Sequence, residues 1–222
     1  MASYRRLSIV DLQPLKEMEM KNQLYNQSTE LCVDFSMEEF RRSLDPQYGV
    51  VYAAYSGEKM IAFYVIVKPP ENENLGIDIG LSFEDIQLLL HGELSHVLPP
   101  YRGNGLMRSL FKECLRDALI TWKDHRYLCT TVYPFNIPSL KSTMDESFVI
   151  VNLKEKYGGV LRYILLRRAD SEVKVLSGEK HMVCLDDLAS QRQYLDQGFV
   201  GTNLIQKDKI QFVQFEKAEW RV

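Results

Sequence analysis

The most constraining feature of the sequence is a predicted strand that leads through a glycine-containing loop into a long amphipathic helix. The strand is predicted over Glu93 to Leu98, and the loop Tyr101-Arg-Gly-Asn-Gly105 follows two prolines. In the helix, apolar residues recur at steps of three and four and charged residues occupy the opposite face. The apolar positions are Met107, Leu110, Phe111, Cys114, Leu115, Ala118, Leu119 and Trp122. This pattern predicts one buried and one solvated helix face.

The composition of the loop indicates an anion site. Gly103 and Gly105 permit positive φ and carry no Cβ that would obstruct a diphosphate, and the helix N-terminus presents backbone N–H groups at its positive end. The sequence contains neither the P-loop nor the Rossmann glycine pattern, since Arg108 stands three residues after Gly105. The loop therefore predicts a pyrophosphate site of another kind, and the alternative is a turn that only connects strand and helix.

The rest of the chain alternates helices with strands. Helices are predicted after Asp11 and after Ser36, where Ser36 and Glu39 form a capping-box pattern. Single strands are predicted over Tyr4–Ile9 and Tyr127–Val132, and a further helix over Pro138–Glu146. Two hairpins are predicted, one from Val50–Tyr55 and Met60–Val67 and the other from Phe148–Leu153 and Val160–Leu166. The predicted class is α/β (mixed α+β), with a central mixed β-sheet flanked by helices.

Two segments lie outside this alternation. The stretch from Pro69 to His91 is predicted to be an insertion with a short helix over Phe83–Leu90. Residues 169–222 are predicted to form a C-terminal strand–helix–strand extension to a domain of residues 1–168. Its elements are the segment HMVCL, a helix over Asp186–Leu195 and the alternating segment IQFVQF.

Composition limits the partners. The formal net charge is −3 and no run of Lys or Arg exceeds two residues, which argues against a nucleic-acid partner. Cys32, Cys114, Cys129 and Cys184 lie far apart, so we expect reduced thiols rather than disulfides or a metal site. No apolar stretch is long enough for a membrane span and no signal-peptide pattern is present, so we expect a cytoplasmic protein with no membrane partner.

Two motifs resemble the GNAT acetyltransferase superfamily. Val97-Leu-Pro-Pro-Tyr-Arg-Gly-Asn-Gly105 matches the form V-x-P-x-Y-R-G-x-G, and the Q/R-x-x-G-x-G/A loop of the family maps onto Pro100 to Gly105 with Pro100 in the first position. Asn136-Ile-Pro-Ser139, with Phe148 twelve residues after Asn136, is similar to the N-x-x-[AS] helix and its terminal Gly-Phe. The resemblance covers Tyr4 to Arg168. It implies an N-acetyltransferase that moves an acetyl group from acetyl-CoA to a primary amine without a metal.

The resemblance also implies residue roles. The residues expected to bind coenzyme A are Arg102, Gly103, Asn104, Gly105 and Leu106 at the pyrophosphate, Asn136 and Ser139 at the pantetheine arm and phosphates, and Val97 and Leu98 through backbone N–H groups. Two positions depart from the family pattern, because Thr143 replaces the tyrosine that acts as general acid and Ser147 replaces the glycine. Tyr133 is a substitute acid, and its alternative role is that of a core aromatic.

The base that deprotonates the attacking amine is expected on the strand before the loop. Glu93 has the same strand parity as Ser95 and Val97, and an unpaired carboxylate on a buried strand suits this role. The alternative is an ordinary solvated glutamate at an exposed strand end. His96 faces the other way and is expected to be structural.

The acceptor is an unspecified small-molecule or peptide amine. The acidic residues of the insertion are candidates to line a pocket for a cationic amine, and the alternative is that they are only solvated. They are Glu71, Glu73, Asp78, Glu84 and Asp85. Three roles are open for the extension: it covers the acceptor site, pairs with another subunit, or extends the sheet. Since pairing is one of them, we expect the chain to be a monomer or a homodimer. Besides an enzyme, a catalytically silent acyl-CoA sensor and a plain scaffold protein remain open.

Overall fold

The computed structural model describes residues 2–25, 34–169, 173–176 and 178–219. The strands are β1 (Ser3–Arg6), β2 (Gly49–Ser56), β3 (Lys59–Val67), β4 (Leu89–Val97), β5 (Tyr127–Val132), β6 (Val149–Lys156), β7 (Val160–Arg168), β8 (Lys174–Val175), β9 (His181–Cys184), β10 (Phe199–Lys207) and β11 (Ile210–Glu219). The α-helices are α1 (Leu12–Tyr25), α2 (Met37–Leu44), α3 (Leu75–Asp78), α4 (Phe83–Ile86), α5 (Leu106–Thr121), α6 (Ile137–Met144) and α7 (Leu188–Asp196).

The chain forms two compact units. Unit 1 consists of Met1–Glu73 and Leu90–His125, and unit 2 consists of Asn74–Leu89 and Arg126–Val222. The predicted α/β class is confirmed, because strands and helices alternate along most of the chain. The boundary proposed between residues 168 and 169 stays a prediction.

Unit 1 is an antiparallel sheet with helices on both faces. Its strands follow the order β1-β2-β3-β4. Phe63 and Val65 of β3 pack in one cluster with Leu15 of α1 and Phe40 of α2. Ala54, Ile61 and Ala62 pack in a second cluster with Leu106 and Leu110 of α5. These two clusters fix the point at which α5 begins relative to the end of β4.

The local signals in unit 1 are largely confirmed. The β2–β3 hairpin is present, and Ser36 and Glu39 form the capping box, with the Ser36 hydroxyl accepting from the Glu39 N–H at 3.2 Å. The first strand is shorter than predicted because it ends at Arg6. Ser8, not Asp11, is the N-cap of the 3-10 turn before α1, and the Asp11 carboxylate accepts hydrogen bonds from the Ser8 N–H and from Arg5.

The insertion differs from the prediction at its C-terminal end. The short helix does begin after Ser82, but it ends at Ile86 instead of continuing to Leu90. Leu89 and Leu90 belong to β4, where each is only 1% exposed. Burial in the sheet thus decides the conformation of a segment that is ambiguous on local pattern, and β4 begins four residues before the predicted Glu93.

Unit 2 is also antiparallel in its strand pairs. β7 lies between β5 and β6, β6 pairs with β10, and β10 pairs with β11, which in turn pairs with β8 and β9. The extension contains the predicted strand, helix and strand as β9, α7 and β11. It also contains β10, which the sequence did not reveal because Gly201, Thr202 and Asn203 interrupt its apolar alternation.

Helix α7 is joined to β7 by a buried polar network. Gln191 is 0% exposed, and the Tyr163 hydroxyl donates a hydrogen bond to its Oε1. Its Nε2 donates to the carbonyls of Cys184 and Leu185 at 2.9 and 3.0 Å. Burial raises the pKa of Tyr163, so its hydroxyl stays protonated and remains a donor. The extension therefore shares its core with the strand that precedes it.

Candidate functional site

The glycine loop connects the end of β4 to the beginning of α5 in unit 1. Gly103 and Gly105 have φ of 77° and 69°, which is the region that favours glycine. A Cβ built on either residue meets no other atom within 4 Å, so the loop needs glycine for its backbone conformation and leaves open space above it. Gly105 is the N-cap of α5. The N–H groups of Leu106 and Met107 in the first turn have no acceptor within the helix, and such groups bind anions.

Side chains of the loop hold its shape. The Asn104 amide donates to the carbonyls of Tyr101 and Arg102 at 3.1 and 3.2 Å. Nε of Arg102 donates to the Val97 carbonyl at 3.1 Å, which holds this exposed side chain against the end of β4. These hydrogen bonds fix the conformation of the loop.

A buried network ties Arg102 to β4 through α1. The Asn22 Oδ1 accepts from the Arg102 guanidinium at 3.3 Å, and its Nδ2 lies 2.6 Å from Nδ1 of His96. His96 is 5% exposed, with its ring edge against Phe63. Burial, and secondarily the charge of Arg102, lowers the pKa of His96 to about 4. At neutral pH His96 is therefore uncharged and its Nδ1 accepts the hydrogen bond from Asn22, which agrees with the structural role expected for it.

Glu93 occupies a bulge in β4. Gly92 pairs with Ile66 and Leu94 with Val65, so Glu93 is the extra residue between them. Its side chain is 24% exposed, and its Oε1 lies 2.6 Å from Nδ1 of His91, which is 3% exposed. The expectation of an exposed strand end is wrong, because Glu93 lies in the middle of β4. The expectation of an unpaired carboxylate is also wrong, because His91 is its partner.

The backbone N–H groups of Val97 and Leu98, both expected at the pantetheine arm, differ in whether they are free to donate a hydrogen bond to a ligand. The Leu98 N–H donates to the Ile61 carbonyl at 3.0 Å and is therefore used within the sheet. Since donors alternate between the two edges of an antiparallel strand, the Val97 N–H points to the other edge of β4. Val97 thus remains a candidate for this role, whereas the N–H of Leu98 does not.

The remaining candidates lie in unit 2. Asn136 is the N-cap of α6, and its Oδ1 accepts from the Ser139 N–H at 3.3 Å, while the contact of Asn136 and Ser139 with coenzyme A stays a prediction. Tyr133 follows β5 and is half-buried, with its ring 5.6 Å from the Phe135 ring. Ser147 has φ of 63°, so the residue that replaces the family glycine keeps the left-handed conformation that favours glycine.

One acidic residue of the insertion has a structural role. Asp78 accepts hydrogen bonds from Lys154 and Lys156 at 2.7 and 2.6 Å, and its side chain is 9% exposed. Burial alone would raise the pKa of Asp78, but the two ammonium groups outweigh it and lower the pKa. We therefore exclude Asp78 as a ligand for the acceptor, while the roles of Glu71, Glu73, Glu84 and Asp85 stay predictions.

Metal and membrane sites were not expected. Across residues 2–25, 34–169, 173–176 and 178–219, the structure shows no group of three His, Cys, Asp or Glu side chains arranged to hold a metal ion. None of the helices in those ranges is both long and apolar enough to span a membrane. Cys114 and Cys129 are buried free thiols and Cys184 is a partly exposed one, while Cys32 lies outside the described residues.

Comparison with known proteins identifies the fold. No family model and no curated protein matches the sequence. A GNAT-family acetyltransferase from Streptococcus pneumoniae superposes with a TM-score of 0.57 at 15% identity, covering 76% of this chain and 99% of that chain. The chain has the GNAT acetyltransferase fold.

Two further GNAT-fold neighbours were solved with their cofactor. Arabidopsis thaliana NAA60 in complex with acetyl-CoA has a TM-score of 0.59 at 18% identity and covers 77% of this chain and 100% of that chain. The yncA putative acetyltransferase from Salmonella typhimurium with acetyl-CoA has a TM-score of 0.57 at 13% identity and covers 77% and 95%. The GNAT fold thus accounts for about three quarters of this chain.

Sequence reasoning missed two residues of the site. His91 stands two positions before Glu93, and a predicted strand that began at Leu89 would have included both residues. Asn22 gives no sequence signal, because its contacts with His96 and Arg102 join residues 74 and 80 positions apart.

Proposed function

We propose that this protein is an N-acetyltransferase that moves an acetyl group from acetyl-CoA to a primary amine by direct attack. The observation that carries the proposal is the loop of residues 102–106, where two glycines of positive φ open the N-terminus of α5. Several GNAT-fold neighbours were solved with acetyl-CoA or coenzyme A. A pyrophosphate is the ligand that this loop chemistry suits best.

In this proposal the chain binds coenzyme A at three places. The backbone N–H groups of Gly103, Gly105 and Leu106 donate to pyrophosphate oxygens, and Arg102 supplies positive charge. Asn136 and Ser139 contact the pantetheine arm. The backbone N–H of Val97 orients the thioester carbonyl, where a fixed donor polarises the bond that is attacked.

Glu93 is the proposed general base. It accepts the proton of the amine as the new C–N bond forms and the C–S bond of the thioester breaks, and coenzyme A leaves as a thiolate. His91, through its hydrogen bond at 2.6 Å, positions the carboxylate. The thiolate is protonated by Tyr133 or leaves unassisted, because Thr143 has no useful acidity near neutral pH.

The second candidate is a catalytically silent acyl-CoA sensor. It is favoured by Thr143, which stands where the family places its general acid. Both candidates bind coenzyme A and differ in turnover. We further propose a small-molecule or peptide amine as the acceptor, a monomer or homodimer as the assembly, and a cytoplasmic location.

The test is release of free coenzyme A thiol from acetyl-CoA in the presence of a panel of primary amines. An enzyme releases thiol in proportion to amine and yields the acetylated amine by mass spectrometry. A sensor binds acetyl-CoA with the same affinity but shows no amine-dependent release. Absence of both binding and release would leave only the fold and reject the proposal.

A further inference from the structure

Helix α1 carries a buried amide on the face that packs against the sheet. Leu15 and Met18 of this face are 0% and 2% exposed and belong to one apolar cluster with residues of β3. Asn22 follows Met18 at helical spacing, in the last turn of α1, and is also 2% exposed. Burying an amide costs free energy unless its hydrogen bonds to water are replaced. The partners of Asn22 therefore decide what this residue does.

The Asn22 amide is oriented from both of its ends. Its Nδ2 lies 2.6 Å from Nδ1 of His96, and its Oδ1 accepts from the Arg102 guanidinium at 3.3 Å. Because His96 is buried and uncharged at neutral pH, its Nδ1 accepts the amide hydrogen, which directs the amide oxygen to Arg102. A turned amide would place its NH2 group against the guanidinium and its oxygen against the acceptor nitrogen. Both partners thus favour the observed orientation.

Arg102 is held where β4 leads into the glycine loop. Its Nε donates to the Val97 carbonyl at 3.1 Å, and its Nη2 donates to Asn22. Its own carbonyl accepts from the Asn104 amide at 3.2 Å. An arginine side chain loses conformational entropy when it is fixed, and a side chain that is fixed before a ligand arrives does not add this cost to binding. The contact with Asn22 thus preorganises the positive charge of the loop.

This network gives α1 a part in cofactor binding. Resting on the proposed function, in which Arg102 supplies positive charge to the pyrophosphate, we propose that Asn22 is a positioning residue for coenzyme A. It acts through Arg102 rather than by contact with the cofactor. Asn22, His96, Val97 and Arg102 all lie in unit 1, so the inference needs no contact outside that unit. An Asn22 that only stabilised unit 1 would affect the affinity for coenzyme A equally with or without the arginine side chain.

A double-mutant cycle in the affinity for acetyl-CoA tests this role. Calorimetric titration measures the Kd of the wild-type protein, Asn22→Ala, Arg102→Ala and the double variant. We expect Asn22→Ala to raise the Kd about tenfold when Arg102 is present, and by less than about twofold in the Arg102→Ala background. Asn22→Leu fills the volume of the amide and should behave in the same way, which keeps the test open if the alanine variant is destabilised by a cavity.

Glu19→Gln is the matched control, because Glu19 is 0% exposed on the same helix and bonds to Lys16 and to the Phe35 N–H. It should lower the free energy of unfolding but keep the Kd for acetyl-CoA within about twofold of the wild-type value. An unchanged Kd in Asn22→Ala and Asn22→Leu, or a rise that is equally large in the Arg102→Ala background, overturns the positioning role while the proposed function stands. Failure of the wild-type protein to bind acetyl-CoA overturns both.

Discussion

Nδ1 of His91 lies 2.6 Å from Oε1 of Glu93, and the two side chains share one face of β4 at its bulge. The histidine is 3% exposed and the glutamate 24%, so the carboxylate reaches solvent while its partner is enclosed. Such a pair fixes the orientation of a carboxylate and leaves one of its oxygens to meet a substrate. This arrangement is the reason for assigning proton acceptance to Glu93.

Replacing Glu93 by Gln should lower turnover about a hundredfold or more at unchanged acetyl-CoA affinity, because the amide keeps the shape but accepts no proton. Steady-state thiol release and calorimetric affinity measure the two effects separately. The exposed Glu38→Gln on α2 is the matched control and should keep full activity. Wild-type turnover in Glu93→Gln would remove Glu93 as the base.

His96 should make stability depend on pH. Its folded pKa is about 4 against an ordinary 6.5, so between these values the unfolded chain binds a proton that the folded chain does not. The contribution of His96 to the free energy of unfolding is complete above pH 6.5. As the pH falls toward 4, the free energy of unfolding decreases by about 2–3 kcal/mol. Urea unfolding at pH 7.5 and 4.5 measures it. In His96→Gln the pH dependence should be smaller by this amount, and an unchanged dependence would show that His96 is not the group responsible.

Because Ser147 has a left-handed conformation, replacing it by glycine should change the free energy of unfolding in the opposite direction to the same replacement at Ser142. Ser147→Gly should raise the free energy of unfolding by about 1 kcal/mol, because glycine adopts φ of 63° without the steric cost that serine bears. Ser142→Gly, within α6, should lower it by several tenths of a kcal/mol because glycine disfavours helix. Urea denaturation compares them, and a destabilised Ser147→Gly would mean that contacts of the serine outweigh its backbone strain.

The network around Gln191 should be needed for the stability of unit 2. Gln191→Ala leaves the Tyr163 hydroxyl and the carbonyls of Cys184 and Leu185 without this partner, which should cost about 2–3 kcal/mol. Gln197→Ala, at an exposed position after α7, serves as the control. Thermal and urea unfolding provide the measurement. Equal stability of the two variants would show that the extension does not depend on this network.

Signals that lie within a few residues of each other were readable from the sequence. The Ser36 capping box, the β2–β3 hairpin and the order of strand, glycine loop and helix all depend on local spacing, and all are present. The start of β4 was not readable, because the choice between helix and strand for Leu89 and Leu90 is made by burial in the sheet.

Long-range pairings could not be read from one sequence. Asn22 meets His96 and Arg102 only after α1 has packed on the sheet. Pairing of β10 with β6 and β11 creates a strand whose own pattern is weak. In each case tertiary contact supplies information that local sequence lacks.

The measurement that tests the central claim most directly is calorimetric titration of acetyl-CoA into the wild-type protein, Gly103→Glu and Gly57→Glu. Both glycines have positive φ, 77° and 60°, and open space around them, so the two variants carry equal backbone strain and charge. Only Gly103 belongs to the loop before α5. We predict Kd in the micromolar range for the wild-type protein and for Gly57→Glu, and no measurable binding for Gly103→Glu. Absence of binding by the wild-type protein, or equal binding by all three, would contradict the assignment of this loop to coenzyme A.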